Sequence, residues 1–326
     1  MSHTTGKIAL EEHFALPDTV PTSKKYFHPD VWPKIPPRLV DIHGQRLEEM
    51  DRNGIDLMFL SLNSPGTQAI YERRCAIELA RRANDYLAEE ISRNPRRFQG
   101  FAALPMQDPE VAAKELTRSV KQLGFRGALV NGFCQIDRED SAVYYDLPQY
   151  WPFWETAERL GVPVYLHPRD PLPRHLQSYE GHPWLFGPAW GFGADTAIHA
   201  LRLMSSGLLD RYPKLTILLG HLGEGLPFSI WRVDHRIANT PLGIPAKKSM
   251  TEYLRTNFFL TTSGNFRTPT LLNAIAEVGA SRILFSVDYP FEDVAEAVGW
   301  FDLAEITDAD RRKIAVTNAR GLFRLT

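Results

Sequence analysis

Residues Lys7–Phe14 read KIALEEHF, a short apolar run that ends in polar side chains. Side chains along a β-strand point alternately to its two faces, so Glu11 and His13 share one face and Glu12 lies on the other. The same arrangement, an apolar run closed by residues that can bind a ligand, returns further along the chain. Its repetition predicts the fold, and its polar ends predict the position of a site.

Eight apolar runs alternate with segments whose apolar residues have helical spacing. The runs are Lys7–Phe14, Ile55–Asn63, Phe98–Leu104, Gly127–Phe133, Pro163–His167, Leu215–His221, Phe258–Ser263 and Ile283–Asp288. The helical segments are Gln68–Asn94, Pro109–Leu123, Tyr150–Leu160, Asp195–Leu209, Leu226–Ile237, Pro269–Val278, Asp293–Phe301 and Asp308–Leu322. Alternating strands and helices predict a parallel sheet, and eight units in 326 residues fit a closed barrel better than an open sheet. We therefore expect an α/β fold, a (β/α)8 TIM barrel that forms one domain over residues 1–326.

Two stretches depart from this alternation, and both follow a predicted strand. Pro17–Pro37 is rich in proline, and His167–Ala194 is rich in proline, glycine and tryptophan. Both are predicted to be long loops. Loops that follow the strands of such barrels lie at the end where ligands bind, so these two are expected to shape specificity.

The overall composition excludes several classes of partner. The formal net charge is -2, which argues against binding to nucleic acid or to an anionic membrane. No apolar run reaches the roughly 20 residues that span a bilayer, and Met1–Lys7 lacks the apolar core of a signal peptide. Only Cys75 and Cys134 are present, which is no disulfide framework and suits a reducing compartment. We expect a cytoplasmic protein.

Polar residues end three of the predicted strands where a barrel opens to its ligand. Glu11 and His13 end the first run, His167 ends the fifth and Asp288 ends the eighth. Two imidazoles and two carboxylates suit Zn²⁺, Mn²⁺ or a similar divalent ion. Each residue alone has another explanation: a histidine can be a structural hydrogen-bond partner, the aspartate a helix cap, and the glutamate part of an ion pair. Their coincidence on three strands favours a metal site.

Several segments together resemble a known family. They are Gly6–Phe14, Gly127–Phe133, Tyr165–Arg169, Gly220–Pro227, Thr261–Phe266 and Ile283–Glu292. On these residues the chain resembles the decarboxylase branch of the amidohydrolase superfamily, and within it the 2,6-dihydroxybenzoate (γ-resorcylate) type. Glu11 stands where most of the superfamily has the first histidine of a His-x-His pair, which is typical of the branch. The 2,3-dihydroxybenzoate and 5-carboxyvanillate types tend to have a small residue at His13 and differ around Asn131.

The resemblance implies one divalent ion held by Glu11, His13, His167 and Asp288. Mn²⁺ or Zn²⁺ is expected, Mg²⁺ is compatible, and no organic cofactor is expected. The implied reaction is the reversible, non-oxidative decarboxylation of 2,6-dihydroxybenzoate, a small aromatic carboxylate, to resorcinol and CO₂. Asp288 is expected to be the proton donor, although a metal-bound carboxylate is a poor acid and would have to receive its proton when the substrate binds. The family also implies a homotetramer.

Further residues are candidates with equally ordinary alternatives. His221 and Glu224 lie three residues apart and could pair to orient water, the substrate or Asp288, or Glu224 could cap the next helix. Arg232 could bind the anionic substrate or lie on the surface. Four residues are candidates to contact the substrate or its ring: Asn131, Tyr26, Phe27 and Phe291.

Two other functions stay open at this point. The same barrel can hydrolyse an amide, ester or lactone with a metal-activated water, in which case Asp288 would be the base. The chain could also be a catalytically inactive barrel that serves as a binding or scaffold protein. The intact set of four predicted ligands argues against this last interpretation.

Overall fold

The computed structural model describes residues 4–240 and 242–325, apart from the side chains of Tyr26, Pro173 and His175. Among these residues, eight strands form one sheet in sequence order, and each adjacent pair from β1–β2 to β7–β8 is parallel. The strands are β1 (Lys7–Phe14), β2 (Ile55–Leu62), β3 (Phe98–Ala103), β4 (Gly127–Asn131), β5 (Val164–His167), β6 (Ile217–Leu219), β7 (Phe258–Thr261) and β8 (Ile283–Leu284). The predicted (β/α)8 barrel is confirmed.

Helices connect the strands and cover the outside of the barrel. The described α-helices are Ile35–Val40, Gln45–Asn53, Arg73–Arg93, Pro109–Lys121, Trp151–Leu160, Gly191–Ser205, Leu208–Arg211, Leu226–Asn239, Met250–Asn257, Thr268–Val278, Val294–Leu303, Asp308–Arg312 and Asn318–Phe323. A π turn, Lys313–Thr317, joins the last two. Shorter 3₁₀ turns lie at Val20–Tyr26, Trp32–Lys34, Gly66–Ala69, Pro148–Tyr150, Pro173–Tyr179, Pro183–Leu185 and Ala280–Arg282.

Side chains at the helix N-termini fix where several helices begin. Asp108 accepts a hydrogen bond from the Val111 N–H at 3.1 Å, and Pro109 occupies the first helical position, where no N–H donor is needed. Asp293 caps the helix after β8 in the same way. Such caps satisfy backbone donors that the helix itself leaves unpaired.

The amino-terminal end of the barrel interior is filled with side chains. Its buried members are Ile8, Leu10, Phe59, Phe101, Leu129, Tyr165, Leu218 and Leu284. Phe323 of the last helix closes this end, with its ring 4.3 Å from that of Phe59. Because this end is packed, a ligand site inside the barrel can lie only towards the carboxyl ends of the strands.

The barrel closes between β8 and β1 in an unusual way. The apolar run predicted a strand up to Asp288, but β8 has only two residues. Beyond it, the Glu11 N–H donates to Ser286 Oγ at 2.6 Å, and the His13 N–H donates to the Tyr289 carbonyl at 2.7 Å. Between β8 and β1, side chains and single backbone hydrogen bonds therefore replace the regular ladder that joins the other strand pairs.

The helical segment predicted at Gln68–Asn94 is shorter in the structure. The helix is Arg73–Arg93, and Gln68 lies in a separate 3₁₀ turn. The buried Gln68 amide donates to the Leu104 carbonyl at 2.8 Å and accepts from the Asn131 N–H at 3.1 Å. These contacts tie the turn to the barrel and prevent it from continuing the helix.

Other differences concern short elements. The predicted loops Pro17–Pro37 and His167–Ala194 contain short helical turns, and the structure adds the helices Gln45–Asn53 and Met250–Asn257. Each of these two helices has fewer than ten residues, which is too short for an apolar period to stand out. No helix within the described residues is long and apolar enough to cross a membrane.

Candidate metal centre and active site

The four predicted ligands meet at the carboxyl end of the barrel. One potential ligand atom from each of Glu11, His13, His167 and Asp288 lies within 4.8 Å of the others. His13 Nε2 is 3.2 Å from Asp288 Oδ1, and His167 Nε2 is 3.1 Å from Glu11 Oε1. Ligands at about 2.2 Å from one ion are at most about 4.4 Å apart, so the cluster needs only a small contraction to hold an ion.

Glu11 is held by one of its oxygens and offers the other. Its Oε2 accepts hydrogen bonds from the hydroxyl groups of Tyr165, Thr261 and Ser263, three donors that come from β5 and from the end of β7. Its Oε1 is buried without a hydrogen-bond partner among the described residues. The three hydroxyls thus fix the direction in which Oε1 faces the cluster.

The two histidines are oriented through the ring nitrogen that does not face the cluster. His13 Nδ1 is 3.1 Å from Ser61 Oγ, and His167 Nδ1 is 2.8 Å from Asn131 Oδ1. Such partners are typical behind metal-binding histidines, because they fix the ring and its tautomer. Nε2 of each ring is left free to bind an ion.

The chemistry of these groups fits a divalent cation. Glu11 Oε1, His13 Nε2 and Asp288 Oδ1 are all buried and lack hydrogen-bond partners among the described residues. Burial lowers the pKa of His13 and favours the neutral, ligating imidazole. Burial alone would raise the pKa of Glu11, but the nearby His221 and His167 lower it to about 2, so the carboxylate is ionised. A divalent cation bound between these three buried atoms would satisfy all of them.

Asp288 follows β8 in a strained backbone conformation. Its φ is 82°, a left-handed value that is rare for any residue other than glycine, asparagine or aspartate. Burial acts to raise the pKa of this carboxyl, but interactions with His13 and His221 outweigh burial and lower the pKa. His221 Nε2 lies 3.6 Å from Asp288 Oδ2. Asp288 therefore faces both the predicted metal ligands and a basic group outside that set.

His221 and Glu224 pair, and Glu224 does not cap the next helix. His221 Nδ1 is 2.7 Å from Glu224 Oε1, whereas Gly225 occupies the N-cap of Leu226–Asn239 without a side-chain hydrogen bond. The segment between them is a left-handed turn, with positive φ at five consecutive residues, 221 to 225. Burial opposes protonation of His221, but the charges of Glu224 and Glu11 outweigh it and raise the pKa of His221.

A cavity of about 730 Å³ opens in front of this cluster. His167, Asp288, His221 and Glu224 line its inner end. The predicted stacking residues Phe27 and Phe291 also line it, and their ring centres are 5.6 Å apart. The Phe291 ring is in turn 5.6 Å from that of His13. The side chain of Tyr26, the third stacking candidate, lies outside the described residues.

Two predicted substrate-binding residues do not line this cavity. Asn131 is buried behind His167, where its carbonyl oxygen contacts the ring. It ends β4, and the register places it directly beside His167 of β5. Arg232 is exposed on the helix Leu226–Asn239. A substrate-binding role for either residue stays a prediction.

Several residues of the site were not singled out from the sequence. Tyr165, Thr261 and Ser263 anchor Glu11, and the strand alternation that joins Tyr165 to His167 could have identified the first of them. Glu292 lines the cavity, and burial raises the pKa of its carboxyl to about 7. A Cβ atom added at Gly193 would lie 2.7 Å from Glu224 Oε2, so only glycine leaves room for this carboxylate, and the sequence gave no signal of this.

Comparison with known proteins places the chain in a family. Residues 27–325 match the family described as amidohydrolase. The chain belongs to the amidohydrolase family. Among its relatives, the gamma-resorcylate decarboxylase of Polaromonas sp. strain JS666 is 58% identical over 323 residues, which cover 98% of this chain and 99% of that protein. The predicted resemblance to this branch is confirmed.

Solved structures agree with this assignment. A 2,6-dihydroxybenzoate decarboxylase in complex with 2,6-dihydroxybenzoate has a TM-score of 0.97 and 56% identity, with 99% of this chain and 100% of that chain covered. A dihydroxybenzoic acid decarboxylase from Polaromonas sp. JS666, with bound manganese and the inhibitor 2-nitroresorcinol, has a TM-score of 0.97 and 57% identity, with 99% and 98% covered. The similarity thus extends over nearly the whole barrel.

Proposed function

We propose that this amidohydrolase-family protein is a metal-dependent carboxy-lyase that removes CO₂ from 2,6-dihydroxybenzoate to give resorcinol, and that it catalyses the reverse carboxylation at high bicarbonate. The observation that carries the proposal is the cluster of Glu11, His13, His167 and Asp288, of which His167 and Asp288 line a cavity together with aromatic rings. Its close relatives named for this activity support the choice of substrate.

We propose that the four clustered residues hold one divalent ion. Mn²⁺ is the first choice, since a relative binds manganese, with Zn²⁺ and Mg²⁺ as alternatives and no organic cofactor. When bound, the ion would supply positive charge that orients the substrate carboxylate and its ortho oxygen. A benzoate without an ortho hydroxyl lacks the second oxygen and should bind in no single orientation.

The difficult step is the departure of CO₂ from an aromatic carbon. The electron pair of the breaking bond would occupy an orbital orthogonal to the ring π system. A proton added to the same carbon removes this obstacle, because the ring can then accept the pair, and an ortho hydroxyl assists by donating electron density. We assign delivery of this proton to Asp288, which faces the cavity beside the predicted ligands.

The ionised Asp288 must first receive a proton, and His221 is placed to supply it. His221 Nε2 lies 3.6 Å from Asp288 Oδ2. The charges of Glu224 and Glu11 outweigh burial and raise the pKa of His221, so His221 holds a proton, whereas the pKa of Asp288 is lowered. Transfer of the proton to Asp288 is therefore unfavourable in the free site and has to accompany substrate binding. Glu224 holds the opposite ring nitrogen at 2.7 Å and thereby orients the imidazolium towards Asp288. We infer that Glu224 orients His221 and that His221 supplies the proton to Asp288.

Phe27 and Phe291 are assigned to the aromatic ring of the substrate. Both line the cavity, and Phe291 lies next to His13, so a ring bound at the cluster would contact them. Flat apolar walls also exclude water from the protonated intermediate. Asn131 is assigned to orienting His167, since it contacts that ring.

We further propose that the chain is a single domain over residues 1–326, that it is cytoplasmic and that it assembles as a homotetramer. Both cysteines are free thiols, which suits a reducing compartment. Phe228 and Trp231, on the same helix as Arg232, are 86% and 68% exposed, and large exposed apolar side chains are typical of subunit interfaces. Light scattering of the purified protein would give the mass of the assembly.

The function is tested by incubating the Mn²⁺-loaded enzyme with 2,6-dihydroxybenzoate, salicylate and unsubstituted benzoate and following the products by chromatography. Resorcinol should form from 2,6-dihydroxybenzoate, and benzoate should not react. Turnover of benzoate at a comparable rate would contradict the role of the ortho oxygen. Hydrolysis of amides or lactones, with no carboxylate accepted, would favour the hydrolase alternative. Failure of the protein to bind any divalent metal would favour an inactive barrel.

A further inference from the structure

Glu12 lies between two predicted metal ligands but points away from them. Its fully buried carboxylate faces the segment that follows β8. Oε1 accepts a hydrogen bond from the Val287 N–H at 2.9 Å, and Oε2 accepts one from the Tyr289 N–H at 3.0 Å. These two N–H groups belong to the residues on either side of Asp288. The Glu12 side chain therefore binds the backbone on both sides of Asp288, the proposed proton donor.

The two hydrogen bonds to Glu12 hold a backbone segment with a left-handed residue at its centre. Asp288 has a φ of 82°, a conformation that aspartate adopts more readily than most side chains but that still costs more than in glycine, so contacts that stabilise it matter. N–H groups on both sides of a left-handed residue form a small concave site that binds an anion. In this protein the two carboxyl oxygens of Glu12 occupy that site from within the chain. Burial raises the pKa of this carboxyl to about 8, so the conformation depends on its two acceptor oxygens and not on a full negative charge.

Ser286 couples the same carboxylate to β1. Its hydroxyl accepts from the Glu11 N–H at 2.6 Å and donates to Glu12 Oε1 at 3.2 Å. The backbone of Glu11 and the segment around Asp288 are thus joined through Glu12 at the seam where no regular ladder connects β8 to β1. The two halves of the ligand set depend on this connection for their spacing.

We propose that Glu12 is a positioning residue for the metal centre: it holds Asp288 in its left-handed conformation and so fixes where the Asp288 carboxylate meets the ion and the substrate. This inference rests on the proposed metal site. It concerns geometry, so its effect should be seen in the metal centre itself and not only in the rate of catalysis.

The test uses full-length protein loaded with Co²⁺, whose visible absorption reports the arrangement of its ligands. Glu12→Gln keeps the size of the side chain, but its NH₂ group faces an N–H donor where the second oxygen stood. We expect an altered Co²⁺ spectrum and metal affinity lowered by about 10- to 100-fold, the range seen when a group that orients metal ligands is changed. Unfolding should remain cooperative.

Asp234→Asn is the matched control. The two oxygens of Asp234 accept from the Met250 N–H at 2.6 Å and the Thr251 N–H at 3.0 Å, so this carboxylate also grips two backbone donors. It lies on the helix Leu226–Asn239 and is not part of the cluster. This variant should lower thermal stability and leave the Co²⁺ spectrum and metal affinity unchanged.

The outcomes separate this inference from the proposed function. If the wild-type protein binds no metal, the proposed metal site itself is wrong, and the inference falls with it. If the wild type binds Co²⁺ and Glu12→Gln matches its spectrum and affinity, Glu12 does not position the site. Should Glu12→Gln fail to fold, Glu12→Asp decides. It keeps two carboxyl oxygens but is one carbon too short to reach both N–H groups, and an unchanged Co²⁺ spectrum in this variant would overturn the inference.

Discussion

Gly193→Ala should lower the activity of this enzyme without lowering its stability. Gly193 lies in the first turn of the helix Gly191–Ser205, and a Cβ atom added there would lie 2.7 Å from Glu224 Oε2. Ordinary contact of these atoms begins at about 3.4 Å. The carboxylate would therefore have to retreat by roughly 0.7 Å, the difference between these two distances. That displacement acts directly on the 2.7 Å hydrogen bond between Glu224 and His221.

The two consequences of this substitution have opposite signs. Alanine is favoured over glycine in a helix by roughly 0.5–1 kcal/mol, and the obstructing atom is the end of a side chain that can move, so folding should lose little or gain slightly. In a protein of this size such a gain would raise Tm by only about 1 °C. The misplaced Glu224 no longer orients His221, and the loss of an orienting partner of this kind reduces activity by about 10- to 100-fold.

The assay compares kcat, KM, metal content and Tm with those of Gly299→Ala. Gly299 also lies inside a helix, Val294–Leu303, but a Cβ atom at that position meets nothing within 4 Å. Gly299→Ala should therefore show the change in stability alone, with wild-type kcat. A fully metallated Gly193→Ala enzyme with wild-type kcat would refute the reasoning, because it would mean that the position of the Glu224 carboxylate does not matter for the reaction.

Two further predictions concern Asp288 and a buried histidine. Asp288→Asn keeps an oxygen for the metal but cannot carry the proton, so kcat should fall by about 10²- to 10⁴-fold at measured full metal occupancy, and recovery of activity with excess metal would show that Asp288 is only a ligand. His199 is fully buried, and burial lowers its pKa from 6.5 to about 3, so the unfolded chain binds a proton that the folded protein resists. Stability should fall as the pH drops from about 6.5 towards 3, by up to about 1.4 kcal/mol per pH unit from this group. His199→Gln should flatten that fall, as measured by urea unfolding at pH 7.5 and 5.0, and parallel losses in both proteins would contradict the assignment.

The clustering of Glu11, His13, His167 and Asp288 could be predicted because a closed parallel barrel leaves few choices. Once the runs ending in Glu11, His13 and His167 are taken as strands of one barrel, their carboxyl ends converge, and alternation decides which side chains point inward. Asp288 was identified by the same rule even though β8 stops four residues before it. The rule that strand ends converge still applies to Asp288, because the chain continues alongside β1 after the regular hydrogen bonding of β8 ends.

The parts that could not be predicted depend on contacts between distant residues. Nothing in the sequence around Glu12 indicates that its carboxylate binds backbone donors of Val287 and Tyr289, because those donors are fixed only when the barrel closes. Asn131 shows a contact that the sequence did not indicate. It ends a strand and was expected near the substrate, which stays a prediction, and its side-chain oxygen contacts the ring of the neighbouring His167. A polar residue at the end of a strand is therefore expected near the site, but contacts with the neighbouring strand determine whether its side chain faces the cavity.

Backbone strain is concentrated at the same end of the barrel. Four of the six described non-glycine residues with positive φ belong to the site, namely His221, Leu222, Glu224 and Asp288. The first three lie in the left-handed turn, where each costs about 1–2 kcal/mol, or about 3–6 kcal/mol together. Burial of Leu222, worth about 1.5–3 kcal/mol, and the charged hydrogen bond between His221 and Glu224, worth a similar amount, offset this cost.

This balance explains why the turn can be left-handed without being unstable. Glycines occupy the other two positions of the turn, 223 and 225, where a positive φ costs nothing. The pair of His221 and Glu224 stabilises the turn and is also assigned to protonating Asp288. The conformation of the turn and the chemistry therefore depend on the same hydrogen bond. The opposite end of the barrel, closed by Phe323, is packed with mostly apolar side chains, and Tyr165 connects it to Glu11. This packed end supports the strands from which the left-handed turn and Asp288 extend, with His221 Nε2 3.6 Å from Asp288 Oδ2.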